Sequence, residues 1–202
     1  MKTPFWETSY QDDDVSAFGT KPNAFILKYE HLFQKSWKVL DIGCGEGQNA
    51  LHFARRGFPN VDAFDLSEHA IAKLRRIAEK SGLQVSSWVQ DLCEFRFIQP
   101  YDLIVSFGTL HFVEKEEWNL LLRNAKEHTN VGGIHIIQIF TNVLPASPDI
   151  ASFAIGLADD RELEVIYQDW EILEFNSYTF EDEHPGAAKH IHASNKIVAR
   201  CI

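Results

Sequence analysis

Short apolar runs alternate with segments of helical periodicity through the middle of the chain. The run 38–42 is β-rich and ends in a glycine cluster, after which apolar residues recur at helical spacing as far as Gly57. The run 61–65 is followed by Ser67, whose hydroxyl can cap a helix, and by an apolar stripe that ends at Gly82. This alternation of periods predicts two successive strand–helix units.

The same alternation continues as far as residue 140. Strands are predicted at 83–89, at 101–107 and, after the glycine pair 132–133, at 134–140, with a helix at 114–128. The almost continuous apolar run 101–107 is typical of a central strand that is covered on both faces. Strands that alternate with helices pair in parallel through right-handed crossovers, so the pattern predicts a doubly wound α/β sheet.

The two ends of the chain depart from this alternation. A helix is predicted from 159 to about 168, and β-rich runs follow at 170–180 and 190–199, too close together for a helix between them. We expect these runs to form an antiparallel hairpin at one edge of the sheet. Residues 1–36 contain several aromatic side chains and an amphipathic helix from 24 to about 34. We expect this arm to fold over another part of the molecule.

Composition narrows the class of partner. The chain of 202 residues is 45% hydrophobic and 24% charged, as in ordinary globular proteins, and its formal net charge is −10. An acidic chain without a long basic cluster is not expected to bind nucleic acid. The most apolar run, 134–140, is much shorter than the roughly 20 residues of a membrane span, so we expect no membrane partner. A small-molecule substrate is favoured, and the oligomeric state is left open.

The first residues and the cysteines indicate where in the cell the protein is expected and whether it contains disulfide bonds. The first residues lead into the acidic stretch 12–14 without an apolar segment of the kind found in signal peptides, so we expect a cytoplasmic protein. Cys44, Cys93 and Cys201 are far apart and odd in number, which argues against a disulfide framework and against a four-sulfur zinc site.

The glycine cluster after the first strand carries the strongest chemical signal. Gly43, Gly45 and Gly47 form a G-x-G-x-G turn, with the acid Asp41 two residues before it and the acid Glu46 within it. In open α/β sheets, ligands bind outside the carboxyl ends of the strands, and glycines let the backbone approach them closely. A dinucleotide site has the spacing G-x-G-x-x-G and binds an anionic pyrophosphate, which an acidic turn would repel. The turn suits a ligand with a cationic amino-acid end.

Carboxylates at the next strand ends extend this site. Asp65 ends the second strand, where it can accept hydrogen bonds from ribose hydroxyls. Asp91 and Leu92 follow the third strand and offer a carboxylate for an exocyclic amine and an apolar contact for a purine face. These strand ends together predict an uncharged nucleoside with a zwitterionic tail.

Simpler interpretations of the same residues stay open. The glycines could serve a tight turn without binding a ligand, and Asp65 and Asp91 could cap the helices that follow them. Cys44 could be a nucleophile, but no base is visibly paired with it, and we favour a small buried side chain beside a backbone contact.

These residues resemble the class I S-adenosylmethionine-dependent methyltransferases. The resemblance rests on the first motif, 40–47, on Asp65, on 91–92 and on 101–106. It implies a Rossmann-like methyltransferase fold, with a mainly parallel seven-stranded sheet and the terminal hairpin. The length of the chain predicts a single domain, divided into an N-terminal arm and helix (1–36), a cofactor-binding core (37–140) and a C-terminal helix and hairpin (141–202). The implied cofactor is S-adenosyl-L-methionine, and the residues assigned to it are Asp41, Gly43, Cys44, Gly45, Asp65, Leu66, Asp91, Leu92, Phe107 and Tyr10.

Within that superfamily, the sequence is most similar to the tellurite-resistance and thiopurine-type branch. The similarity is carried by 5–6, Tyr10, 19–25 and 195–200. It implies a small, soft acceptor such as a thiol or a tellurium or selenium oxyanion. Two other classes are retained as alternatives: a dinucleotide-dependent oxidoreductase, and a non-catalytic S-adenosylmethionine-binding sensor or partner subunit.

Methyl transfer requires an oriented acceptor and a site without competing water, whereas acid–base residues are optional. His111, in the loop after the fourth strand, is the candidate catalytic residue, and the alternative is a loop histidine that packs against Phe112 or caps the next helix. Trp6 is assigned to the substrate pocket, either as part of a cover or as a satellite core residue.

Histidines in the last strand are further pocket candidates. His190 and His192 share one face of the strand, and with His184 they could contact substrate or bind a metal. Because the sequence indicates neither a cysteine nor a carboxylate that would complete a zinc site, we predict no metal.

Overall fold

The computed structural model describes residues 3–12, 14–184 and 187–202, without the side chains of 184, 187 and 188. Within these residues, seven strands form one sheet. The strands are β1 Lys38–Ile42, β2 Asn60–Asp65, β3 Ser86–Val89, β4 Tyr101–Phe107, β5 Thr129–Phe140, β6 Glu171–His184 and β7 Ala187–Arg200.

The sheet is parallel except at one side. Its strand order is β3-β2-β1-β4-β5-β7-β6, so β4 lies in the middle, as its apolar run predicts. The pairs from β3 to β5 are parallel, whereas β7 is antiparallel to both β5 and β6. The predicted α/β class and the terminal hairpin at the sheet edge are confirmed.

Helices cover both faces of the sheet. The sequence signal for α4 is confirmed in detail, because the Ser67 hydroxyl accepts a hydrogen bond from the backbone N–H of Ala70 at 3.1 Å. None of the helices within the described residues has the length and apolar character needed to span a bilayer. The helices are α1 Phe5–Tyr10, α2 Ala24–Tyr29, α3 Gln48–Arg55, α4 Glu68–Lys80, α5 Lys115–Glu127 and α6 Glu162–Ile166.

Two apolar cores pack against the sheet. Successive residues of β4 alternate between them: Ile104 packs on the side of α5, while Leu103 and Val105 pack on the side of α3 and α4. This double burial explains why β4 shows no polar alternation in the sequence. The carboxyl ends of the parallel strands lie together at one edge of this sheet.

Several predicted boundaries differ from the observed ones. The predicted helix 159–168 shortens to α6, α1 is an additional helix in the arm, and β5 begins before the glycine pair rather than after it. A Cβ on Gly133 would lie 2.9 Å from the Asp102 carbonyl oxygen, so the glycine lets β5 pass close to β4 where their register shifts. The glycine pair is therefore part of a strand, not of a turn. The division of the chain into arm, core and C-terminal part stays a prediction.

Candidate functional site

A cavity of about 930 Å³ opens at the carboxyl ends of the parallel strands. Its walls come from three parts of the molecule: the loops after β1 to β5, the N-terminal arm with α1, and the hairpin of β6 and β7. The strand order places the glycine turn and the β2 and β3 ends on one side of β4, and β5 with the hairpin on the other. The cavity therefore spans the position where crossover direction reverses, which is the usual ligand site of open α/β sheets.

The glycine turn approaches neighbouring chain segments closely. Gly43 has φ +65°, and a Cβ on it would lie 2.2 Å from Cγ2 of Thr109. Gly45 has φ +53°, and its Cβ would lie 2.8 Å from the hydroxyl of Tyr10. Both positions thus require glycine for backbone conformation and for space. The turn exposes bare backbone to the cavity, as its sequence predicts.

Asp65 lies on the cavity wall and is held by backbone N–H groups. Its Oδ2 accepts a hydrogen bond from Gly45 N at 2.8 Å, and its Oδ1 accepts one from Ser67 N at 2.9 Å. Burial raises the pKa of this carboxyl, while the backbone hydrogen bonds act in the opposite direction. The side chain is therefore fixed in orientation at the end of β2.

Asp91 and Leu92 line the same side of the cavity. Asp91 Oδ1 accepts a hydrogen bond from Cys93 N at 2.8 Å, so the carboxylate also organises the loop after β3. The capping alternative is not observed, because Ser67 rather than Asp65 caps α4, and Asp91 is followed by a turn instead of a helix. A carboxylate has two oxygens, so a side chain that organises a loop can also face the cavity.

Asp41 does not lie on the wall. It is buried beneath the glycine turn and accepts a hydrogen bond from Ala50 N, in the first turn of α3, at 3.1 Å. Burial raises its pKa to about 7, against the effect of that hydrogen bond. The geometry therefore assigns Asp41 to the support of the turn, in place of the predicted direct contact with cofactor.

Glu46 is on the wall, but its charge is compensated. Its Oε2 lies 2.8 Å from Nζ of Lys73, and its Oε1 accepts hydrogen bonds from Ser16 Oγ and from Ala17 N. Both members of the ion pair are nearly inaccessible to solvent. The ion pair therefore offsets the negative charge of Glu46 at the turn. Asp65 and Asp91 supply carboxylates to the wall at the neighbouring strand ends.

Most of the other predicted cofactor residues reach the cavity. Burial raises the pKa of the Cys44 thiol well above its usual range, which supports the interpretation of this residue as a small side chain beside the turn. The predicted residues found on the wall are Gly43, Cys44, Gly45, Asp65, Leu66, Asp91, Leu92, Phe107 and Tyr10.

Trp6 forms part of the wall and also packs against other rings. Its ring centroid lies 5.0 Å from that of Phe112 and 5.8 Å from that of Phe153. It also packs against a small cluster that includes Tyr10. Trp6 therefore covers part of the cavity and also belongs to a small apolar cluster outside the two main cores, so both interpretations of this residue apply.

His111 is separated from the cavity. It is fully buried, it is not among the residues that line the cavity, and it stacks on Phe140 at 4.3 Å. Burial lowers its pKa to about 3, with a smaller contribution from His192. A neutral ring of such low basicity is a poor proton acceptor, so its catalytic role stays a prediction that this geometry does not favour.

His192 lines the cavity, whereas His190 lies beside it as part of the same cluster. His190 Nε2 is 3.0 Å from His192 Nε2 and 3.4 Å from Oδ2 of Asp149. The side chain of His184, the third histidine of the sequence analysis, lies outside the described residues.

Other wall residues had not been predicted. Gln138 and Phe140, at the end of β5, could have been found with the strand-end rule that gave Asp65. Asp149 comes from the loop between β5 and α6, and no motif in that loop marks it.

The chain resembles proteins of known families over most of its length. The family model described as tellurite resistance protein TehB matches residues 29–190. A curated relative from Haemophilus influenzae, named "Probable S-adenosyl-L-methionine-dependent methyltransferase TehB", is 38% identical over 141 residues, which are 69% of this chain and 48% of the relative. The chain thus spans about half the length of the curated relatives it matches.

Solved structures show the same fold. The crystal structure of TehB from Haemophilus influenzae aligns with a TM-score of 0.79 at 28% identity, over 92% of this chain and 64% of that one. A structure from Methanosarcina mazei, described as SAM-dependent methyltransferases, aligns with a TM-score of 0.69 at 20% identity, over 90% of this chain and 99% of that one. At this identity the second similarity concerns the fold alone.

Proposed function

The chain belongs to the family of the tellurite resistance protein TehB, and we propose that it is an S-adenosyl-L-methionine-dependent methyltransferase that acts on a small-molecule acceptor. The observation that carries the proposal is the cavity wall, where bare glycine backbone and two fixed carboxylates, Asp65 and Asp91, lie at neighbouring strand ends. The names of the relatives support the same activity.

The wall fits the chemical groups of the cofactor. Asp65 accepts from backbone N–H groups and has further lone pairs for ribose hydroxyls, and Leu92 offers an apolar contact beside Asp91 for an adenine ring. The cofactor supplies a methyl group on a positively charged sulfur. Aromatic rings at the wall, among them Tyr10 and Phe107, stabilise such a charge without competing for the methyl group.

The size of the cavity favours an enzyme over a sensor. A volume of about 930 Å³ lies at the upper end of the roughly 300–1,000 Å³ of small-molecule sites, which leaves room for a second ligand beside a nucleoside. The remaining wall, from β5 and the hairpin, combines aromatic side chains with Asp149 and His192. These residues would orient the acceptor and exclude water, which is the main requirement of an in-line displacement.

Product formation tests the activity directly. Purified protein is incubated with S-adenosylmethionine and one of a panel of acceptors: small thiols, selenite, tellurite and small carboxylic acids. We expect release of S-adenosylhomocysteine with at least one soft acceptor. Tight cofactor binding without product from the whole panel would support the sensor alternative and contradict the enzyme.

Asp65→Ala tests the cofactor half of the site. We expect S-adenosylmethionine to bind at least about tenfold more weakly by calorimetry, equivalent to about 1.4 kcal/mol, because the ribose loses its acceptor. Glu79→Ala, which removes an exposed carboxylate of α4 that does not line the cavity, is the matched control and should bind as the parent does. Unchanged affinity in folded Asp65→Ala would remove the role assigned to this residue.

A further inference from the structure

Asp149, His190 and His192 bring one carboxylate and two imidazoles together at the hairpin side of the cavity. The ligand atoms of these residues all lie within 4.8 Å of one another. Asp149 comes from the loop after β5, and the two histidines come from β7, so the cluster is assembled only in the folded chain. The sequence indicates neither a cysteine nor a carboxylate that would complete a metal site, and in the folded chain Asp149 supplies a carboxylate.

Two of the separations in this cluster are similar to those between ligands of a small divalent ion. A metal about 2.0–2.1 Å from each of its tetrahedral ligands separates those ligands by roughly 3.3 Å. The His190 and His192 Nε2 atoms are 3.0 Å apart, and His190 Nε2 is 3.4 Å from Asp149 Oδ2. Both separations are close to this value.

Ser147 contacts two members of this cluster, Asp149 and His192, and orients their side chains. Its hydroxyl donates a hydrogen bond to Asp149 Oδ1, and its Oγ lies 3.3 Å from His192 Nδ1. When the serine proton is directed to Asp149, Oγ can accept a hydrogen bond from Nδ1–H of the His192 tautomer whose Nε2 carries the lone pair, and Nε2 is the atom that faces His190. Outer hydrogen bonds that fix the ring orientation in this way are typical of metal-binding histidines.

We propose that Asp149, His190 and His192 bind a first-row divalent metal ion of the Zn²⁺ type. Two imidazoles and one carboxylate suit zinc and its neighbours better than Mg²⁺ or Ca²⁺, which prefer oxygen ligands only. Three protein ligands leave a coordination position open, as in catalytic zinc sites. Asp149 and His192 both line the cavity, so this position faces the space that the acceptor would occupy.

The open position suits a thiolate, and this part of the inference rests on the proposed function. A thiol that binds the ion loses its S–H proton to the solvent and forms a metal–sulfur bond, so it is held as an anion near neutral pH. The acceptor would then need no protein base, which agrees with the burial of His111 away from the cavity wall. The ion would be a binding site for a thiol acceptor.

Metal binding can be measured without cofactor or acceptor. The full chain is stripped with EDTA and titrated with Zn²⁺ against a fluorescent chelator, and we expect one ion per chain. Asp149→Asn and His192→Ala should weaken binding about a hundredfold or more, and Ser147→Ala about tenfold. The exposed His31→Gln is the matched control and should bind as the parent does. Failure of the parent chain to bind Zn²⁺, or equal binding by folded Asp149→Asn, would overturn the site.

Co²⁺ provides a second measurement that does not depend on the folding of variants. We expect the visible spectrum of tetrahedral Co²⁺ with the parent chain, and a thiolate-to-cobalt charge-transfer band when 2-mercaptoethanol is added. No charge-transfer band would overturn the thiolate part. Undiminished S-adenosylhomocysteine formation by EDTA-stripped protein would overturn the role in acceptor binding and leave the proposed function intact. Metal binding without any methyl transfer would support the site and contradict the proposed function.

Discussion

At the scale of single residues, Asp41 and Asp65 show how surroundings decide what a carboxyl group does. Both lie in the last two positions of parallel strands, and both accept hydrogen bonds from backbone N–H groups. Asp65 reaches the cavity, whereas Asp41 is enclosed beneath the glycine turn. Enclosure disfavours the charged form, so the pKa of Asp41 rises to about 7.

This raised pKa makes stability depend on pH. Between about pH 4 and about pH 7, the folded state keeps the Asp41 proton and the unfolded state does not, so the contribution of Asp41 to stability falls as the pH rises. Asp41→Asn keeps an acceptor for Ala50 N and removes the titration. Its stability relative to the parent should increase from about pH 5 to about pH 8, by up to about 3 kcal/mol.

Urea unfolding of the parent and of Asp41→Asn at both pH values measures this change. Glu79→Gln, a neutral replacement on the exposed side of α4, should follow the parent at both values. The free energy of unfolding could instead differ between Asp41→Asn and the parent by the same amount at both pH values. This result would show that Asp41 is already ionised in the folded protein at the lower pH.

At the scale of elements, the N-terminal arm is fastened by one buried lysine of α4. Lys73 Nζ donates to the backbone oxygens of Ser9 at 3.1 Å and Asp12 at 2.7 Å, and to that of Val15. It also pairs with Glu46 next to the glycine turn. One side chain therefore joins the arm, α4 and the turn.

Lys73→Met should release the arm. Removal of one partner of a buried ion pair costs about 3–5 kcal/mol, because Glu46 is left without its cation. We expect faster hydrogen exchange and proteolysis in the arm, and weaker binding of S-adenosylmethionine because Trp6 and Tyr10 line the cavity. Hydrogen exchange followed by mass spectrometry measures the first effect, and calorimetry measures the second.

A double variant separates charge from packing. Lys73→Met with Glu46→Gln removes both charges and should recover part of the lost stability, while Arg123→Met, at an exposed position of α5, should behave as the parent does. Unaltered exchange in the arm of Lys73→Met would mean that apolar packing alone holds it.

The elements also show what a sequence can reveal. β4 was predictable residue for residue because burial on both faces leaves a continuous apolar run. Asp65 was predictable because a strand end has a defined place in the sheet. Helix α1 and the position of Asp149 could not be predicted, because they depend on packing between distant parts of the chain and produce no periodic pattern in the local sequence.

At the scale of the whole molecule, the cavity joins the parallel half of the sheet to the antiparallel hairpin. The ligand that fills it should therefore stabilise the complete fold. S-Adenosylmethionine at about 100 times its Kd should raise the free energy of unfolding by about 2.7 kcal/mol. NAD at the same concentration should have no effect, because its pyrophosphate meets the carboxylates of Asp65 and Asp91 and a G-x-G-x-G turn.

Thermal or urea unfolding with each ligand measures this difference. Stabilisation by NAD equal to that by S-adenosylmethionine would favour the oxidoreductase alternative and contradict the assignment of the wall.

The hydrogen bonds between Lys73 and the arm could determine how fast the product of the proposed reaction is released. If the spent cofactor lies between the glycine turn and α1, its release would require the arm to move, and this movement would break the hydrogen bonds that Lys73 donates to the arm. Product escape, rather than bond making, would then set the turnover rate, and variants with a looser arm would cycle faster at saturating cofactor while binding it less tightly.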